Sequence, residues 1–427
     1  MARFSALPQE LRLQIFDCLE LIDKIHLSAT CKACRTQLLP EIFKTICFSN
    51  DEASENSALA AVEAHGEYTT RIEFTCYAEA DYELTAPALR LGASKILNGY
   101  LTPNLRTVQL KFDFDFDEGD WDDNPMANTG TSIYVFEEIE DEDYVRKAEQ
   151  NWQWRALMKE TWQALAANNY MRDLILDEFV PKWTSTFRTD EFRQFLSRLE
   201  SATFNIFGAD NGAGWSINTT WGYGDFLSTL DISFLNHMSG LKHLHIKASD
   251  PLGLEGPFHI PLALKRMDLP VLESLKLENC FIGPELVSFI QGHAQVLRSL
   301  DIDRCFGAGD LAGLASNPMS WVTFFDTIHK ANPSLVELKV GGREVPLSSG
   351  EWMPSEASLD ENLRGIIQKL GSNPKLKLFS YHYLDDKYGT DYEDWEEDVE
   401  RFNSGDDQRA YERLMGLIEA NATRTWR

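Results

Sequence analysis

Residues 272–280 read LESLKLENC, and residues 297–305 read LRSLDIDRC. Laid over each other, both place leucine at positions one and four, an aliphatic residue at position six and cysteine at position nine. The alternation from Leu275 to Leu277 and from Leu300 to Ile302 has a period of two, which sends one set of side chains to one face of a strand. Outward from this pair, the same apolar spacing recurs at Thr69-Ile72-Phe74, Leu105-Val108-Leu110, Met171-Leu174-Leu176, Leu199-Ala202-Phe204 and Leu241-Leu244-Ile246. It returns at Leu335-Leu338-Val340 and Leu376-Phe379-Tyr381. With 43% hydrophobic residues, three apolar positions at a fixed spacing arise by chance at about 8% of sites. Spacing alone therefore decides little. Proline adds a second signal, standing two residues before the first leucine at Pro103, Pro270, Pro333 and Pro374. Asn332-Pro333 and Asn373-Pro374 read as a helix ending and a strand beginning.

The combined pattern resembles a leucine-rich repeat, in which Asn or Cys at the ninth position turns the chain and bonds backbone groups; Cys280 and Cys305 stand there. Successive copies start 36, 66, 28, 42, 31, 25, 38 and 41 residues apart, so the array is irregular against the usual period of about 20–29 residues. The resemblance implies an α/β solenoid with parallel strands on a concave face and helices on a convex one. Connecting helices are expected from Tyr144 to about Asn168, at Pro284–Ala294 and at Trp321–Ala331. Another is expected at Leu359–Gly371 behind a Ser358-x-x-Glu361 capping box. A terminal capping helix is expected over Asp406–Ala422, and the glycine-rich stretch Gly208–Gly224 reads as a long ordered loop. Strand alternation directs His243, His245, Lys247, Lys276, Glu278, Asp301, Asp303, Glu337 and Lys339 to the concave face, as candidate contacts for a protein substrate. His243 and His245 share a face without a convergent third ligand, so no metal site is expected.

The first 47 residues carry a different pattern. Pro8 suits a helix start, and Leu11, Ile15 and Leu19 follow at i, i+4 and i+8 with Phe16 beside them. A second helix is expected from about Asp23, with Ile25, Leu27 and Cys31 apolar, and Pro40 is expected to break the pattern before Ile42 and Phe43. Three short helices in so few residues cannot bury a good core alone. Leu7-Pro8-x-Glu10-Leu11, Ile15-Phe16, Leu19, Asp23-Lys24-Ile25 and Cys31-Lys32 resemble the F-box signature in order and position, with Ile42-Phe43 where family members often carry Trp. The resemblance implies docking to a Skp-family adaptor, which bridges to a cullin scaffold. Leu7, Pro8, Leu11, Ile15, Phe16, Leu19 and Ile25 would be the adaptor-facing positions. It also implies a substrate receptor of an SCF-type ubiquitin ligase that performs no chemistry itself; the alternative is an interaction scaffold with no degradation role. The pair Cys31 and Cys34 reads as helix packing, because no second pair stands near enough to complete a zinc site.

The chain thus divides into a helical module (1–47), an irregular repeat domain (48–384) with an acidic insert at 113–143, and an acidic segment with its capping helix (385–427). The net charge of −27 is concentrated: residues 113–143 hold thirteen Asp/Glu and no Lys/Arg, and residues 385–407 hold eleven acids against two bases. Both runs read as solvated loops, with a steering patch for a basic partner as the sharper reading. Such a polyanion repels phosphate backbones, so no nucleic-acid partner is expected. No run of 18 apolar residues predicts a membrane span, and the N-terminal stretch lacks a signal peptide's uninterrupted apolar core. Seven cysteines, an odd and sparse set, read as free thiols of a cytoplasmic or nuclear protein. Phosphate-loop, nucleophile-elbow and HExxH patterns are absent from the sequence, so neither an enzymatic role nor a cofactor is expected.

Overall fold

The apolar triples run into strands, several of which alternate between burial and solvent, as in β-strand Thr107–Asp115. The computed structural model describes residues 7–79, 86–116, 133–256, 259–309, 318–342, 361–385 and 387–425. Its strands are β1 (Thr45–Ser49), β2 (Arg71–Glu79), β3 (Thr107–Asp115), β4 (Asp173–Phe179), β5 (Ser201–Ile206) and β6 (His243–Leu252). They continue as β7 (Ser274–Phe281), β8 (Ser299–Ala308), β9 (Glu337–Val340), β10 (Tyr381–Leu384) and β11 (Asp391–Glu393). All belong to one sheet in which β1 to β8 follow chain order. Pairing is parallel from β1 to β9, while β10 continues from the far end of β8 and β11 returns antiparallel to β10. Parallel neighbours require a crossover between them, which the intervening helices and loops supply.

The strands pair in register over their first residues, where equivalent positions form continuous rows, and the register shifts further along β4/β5, β6/β7 and β7/β8. Ile46, Ile72, Val108, Leu174, Ala202, Leu244, Leu275, Leu300 and Leu338 lie side by side. All are buried. A second row runs Phe48, Phe74, Leu110, Leu176, Phe204, Ile246 and Leu277. Against this face pack helices whose anchor is Trp162, fully buried among Phe112, Phe187, Phe192 and Phe234 at ring separations of 5.5–6.1 Å. Each such aromatic removes about 150–250 Å² from water, which makes these contacts large contributors to the core.

The turn chemistry follows the expected positions. Asn332 ends the helix Trp321–Ala331 in the left-handed region (φ 48°, ψ 59°), which its short polar side chain tolerates. Cys280 and Cys305 are register partners, and their thiols donate to the carbonyls of Glu278 (3.4 Å) and Leu277 (3.5 Å). Asn279, also at positive φ, donates to the carbonyls of Ala248 (3.1 Å) and Ser249 (2.8 Å) one strand away.

Several expectations are corrected. β1 is an additional strand, and the boundary placed at residue 47 falls inside it; β11 likewise carries the sheet beyond residue 384. The helix expected over 144–168 is two, Glu142–Asn151 and Gln153–Ala166, parted where Trp152 turns extended (φ −110°, ψ 130°). Ser358, the expected capping residue of the helix Glu361–Ser372, lies outside the described residues. The stretch 208–224 is not wholly loop, since a helix begins at Trp221. The acidic runs are not simply solvated. Asp398 is fully buried and accepts from the Tyr381 amide at 2.7 Å, while buried Asp407 accepts from the Val322 amide and the Tyr381 hydroxyl, both at 2.8 Å. Buried donors need acceptors, and these carboxylates supply them.

At the N-terminus stand α1 (Gln9–Asp17), α2 (Leu21–Thr30) and α3 (Lys32–Ile42). Pro40 does not break α3: it lies in the last turn, and the Phe43 amide still reaches Leu39 O at 3.0 Å. Cys31 is not in a helix interior either. It is the exposed N-cap of α3 and its sulfur accepts the Cys34 amide at 3.4 Å, a bond that draws its thiol below the ordinary value. Cys34 is packed, and burial pushes its thiol up.

Candidate protein-docking surfaces

The helical module has little core of its own. Phe16, Cys34 and Leu38 are buried, with Leu19, Leu27 and Ile42 partly covered around them. α1 buries only Phe16, and α2 buries no residue at all. The stripe read from the sequence therefore splits in two. Phe16 points inward and is 2% exposed, which removes it from the adaptor-facing set, and Leu19 half-follows it. Leu11, Ile15 and Ile25 remain 46%, 38% and 41% exposed, with Pro8 exposed and Leu7 half-buried beside them. Leu13 is exposed too, but about 200° around α1 from Leu11 and so on another side. Beside Ile25 on α2 stand two residues that were not singled out, Leu21 and Ile22. The signal for the last two was present in sequence: α2 starts at Leu21, two residues before the expected Asp23, so both fall on its first turn. An apolar face of this size on so small a module marks a contact site for another protein.

The second surface is the open face of the sheet. His243, Lys247, Asp303, Glu337 and Lys339 are exposed there, and His245, Lys276 and Asp301 are half-buried. Glu278 departs from expectation. It is 8% exposed and held by Lys276 Nζ (2.5 Å), His245 Nε2 (3.1 Å) and Arg304 Nη1 (3.4 Å). Burial raises its carboxyl, but the Lys276 bond and the charges of Lys276, His245 and Arg304 bring it below the ordinary value. His245 is shifted down by burial and by the charge of Lys276. Other outward groups also pair across strands: Ser299 donates to Glu337 at 3.0 Å, and Lys339 meets Glu337 at 3.3 Å and Asp301 at 3.9 Å. His243 and Lys247, on β6, have no side-chain partner among the described residues. Lys247 also borders a hollow of about 390 Å³ with Lys111, Asp177, Glu178, Asn205 and Ser249.

Among the described residues no group of three or more His, Cys, Asp or Glu is placed to hold a metal ion, and no helix is long and apolar enough to cross a membrane. No curated protein matches the chain. Residues 4–44 match the family model of the F-box domain, which places the exposed face of α1 and α2 within a stretch similar to that domain.

Proposed function

We propose that the protein is the substrate-recognition subunit of an SCF-type ubiquitin ligase. The helical module docks onto a Skp-family adaptor, the adaptor bridges to a cullin, and the sheet domain holds a protein substrate. The observation that carries this reading is the uncovered apolar face of α1 and α2 inside the segment that matches the F-box domain. Six apolar side chains, each contributing about 1.5–3 kcal/mol on burial, offset an association cost of about 4–15 kcal/mol. The sheet domain is read as an irregular leucine-rich-repeat solenoid; the continuous apolar rows, the Asn332 cap and the paired Cys280 and Cys305 support it. Its open face is the concave surface, with His243 and Lys247 free to meet a substrate in the cytoplasm or nucleus. The subunit contributes proximity, raising the effective concentration of substrate near the transfer machinery. Co-purification tests the assignment: tagged full-length protein is expected to retain the adaptor and then the cullin. Adaptor without cullin would leave an adaptor-binding scaffold, and neither would remove the ligase role.

A further inference from the structure

Large apolar side chains stand out from one stretch of backbone that the core holds at both ends. Ile133 and Phe136 are buried, and Glu140 is clamped by Arg155 and Lys182. Between these anchors Tyr134 and Ile139 are 60% and 59% exposed, and Glu137 and Glu138 are exposed with them. The helix Trp221–Ser228 presses its first turn onto the same stretch. The Gly222 amide donates to Glu137 O at 3.3 Å, and a Cβ at Gly222 would stand 2.2 Å from Glu138 O, so only glycine permits the approach. That approach sets the backbone of Trp221, 62% exposed, beside Glu137 and Glu138. Exposed side chains of this size on a pinned backbone form a ready contact surface.

Its charge is equally one-sided. Glu142 and Asp143 are met by Arg146, and Glu142 also by Arg188, but Glu137 and Glu138 have no ion-pair partner among the described residues. They belong to the run of thirteen acids without a base at 113–143.

We propose that Tyr134, Ile139 and Trp221, flanked by Glu137 and Glu138, form a docking surface for a Lys/Arg-rich segment of a partner protein. Aromatic faces attract ammonium and guanidinium groups, and Trp and Tyr dominate interface energetics. The carboxylates complement the same cations and steer their approach. The surface is separate from α1 and α2 and stands whether or not the chain joins a ligase.

The test uses full-length protein and a labelled alternating Lys/Arg dodecapeptide, read by fluorescence anisotropy at cellular ionic strength. Two variants are compared with the unmodified chain: Trp221→Ser with Tyr134→Ser, which leaves the charge unchanged, and Glu137→Gln with Glu138→Gln. Each pair is expected to weaken binding about tenfold or more, with adaptor capture unchanged. Undiminished binding by the charge-neutral pair would show that the peptide is held by overall negative charge, and would overturn the proposal. So would an unmodified chain that ignores the peptide, or a homodimer that the same substitutions dissolve. Should the aromatic pair fold poorly, the charge-neutral Ile139→Ser, at an exposed position, is expected to weaken binding in the same direction, and undiminished binding by it is equally decisive.

Discussion

Arg155 holds Glu140 with both arms of its guanidinium, Nη1 to Oε1 at 2.5 Å and Nη2 to Oε2 at 2.9 Å, and both side chains are buried. Lys182 Nζ completes a triad at 2.9 Å from Oε1. The triad ties the end of the acidic insert to the helix Gln153–Ala166 and to the chain after β4. Burial raises Glu140, but the bonds and charges of Arg155 and Lys182 outweigh it and leave the carboxyl below its ordinary 4.5. Removing Arg155 takes two charge-assisted hydrogen bonds from the buried carboxylate and leaves Lys182 as its one cation, at a cost of up to about 3–5 kcal/mol. Arg155→Leu is accordingly expected to lower the denaturant midpoint sharply at pH 7. The sign with pH follows from the depressed value: the unfolded chain takes up the proton first, so the triad's stabilisation is present above the unfolded value near 4.5 and fades as pH drops through the folded one. The gap between Arg155→Leu and the unmodified protein should therefore narrow below pH 4.5.

Ile15 and Phe16 are adjacent on α1, about a quarter turn apart, yet one is 38% and the other 2% exposed. Leu11→Asp with Ile15→Asp is expected to abolish adaptor capture while circular dichroism and thermal midpoint stay near those of the unmodified chain. Phe16→Ala opens a cavity beneath α1, costing about 3–5 kcal/mol. That exceeds what so small a core can lose, so amide exchange in residues 9–42 should accelerate while the sheet's protection persists. Unchanged capture by the double variant would remove the docking model.

Much of this architecture can be read from spacing, and the failures have particular causes. Phe43, Ile46 and Phe48 carry the same apolar spacing as the other strands, but they follow the helical module so closely that they read as part of it. Glu278 should face solvent by simple alternation. Between β7 and β8 the register slips, so that Glu278 pairs with Arg304 after Lys276 pairs with Asp301. The slip brings Arg304 beside Glu278, and with Lys276 and His245 it covers a carboxylate that a count by twos leaves in solvent. The buried acids at the C-terminal end fail for another reason. Composition registers the charge of Asp398 and Asp407 but not the amides of Tyr381 and Val322 that they satisfy, 17 and 85 residues away. Among adaptor-facing candidates, period alone could not separate Ile15 from Phe16, because which neighbour turns inward depends on Cys34 and Leu38 of α3.

Asn332 ends its helix with φ 48° and its amide bonded to His329 O at 3.1 Å. A β-branched residue resists that conformation, and the left-handed region costs about 1–2 kcal/mol for residues with a full side chain. Asn332→Val is expected to lower the melting temperature by several degrees, whereas Asn332→Gly should be close to neutral, since glycine adopts positive φ freely. Equal losses from both substitutions would show that the side chain matters for a reason other than backbone geometry.

Asp250 is half-buried near Asp210 and Asp391, whose segments are joined by a clasp between distant parts of the chain. The Ser216 amide donates to Tyr388 O and Asn218 Nδ2 to Gly389 O, both at 2.9 Å, and Trp215 meets Tyr388 edge-on at 5.2 Å. Burial, then the charges of Asp210 and Asp391, push Asp250 up to about 7, against a single favourable backbone bond from Ala209. Tyr223 faces it from the neighbouring helix, and its hydroxyl is raised by burial and by Asp250 in turn. His382 Nδ1 lies 3.0 Å from Asp391 Oδ1. Because the folded value lies above the unfolded 3.8, the folded protein keeps a proton that the unfolded chain has released. Stability therefore falls as pH rises across that window and levels off above 7. Asp250→Asn removes the titration while keeping the shape. Its melting temperature relative to the unmodified protein is expected to climb between pH 4 and pH 7 and then hold constant. A difference that stays flat across that range would mean Asp250 is ionised in the folded protein throughout, and that the three carboxylates are kept apart by solvent.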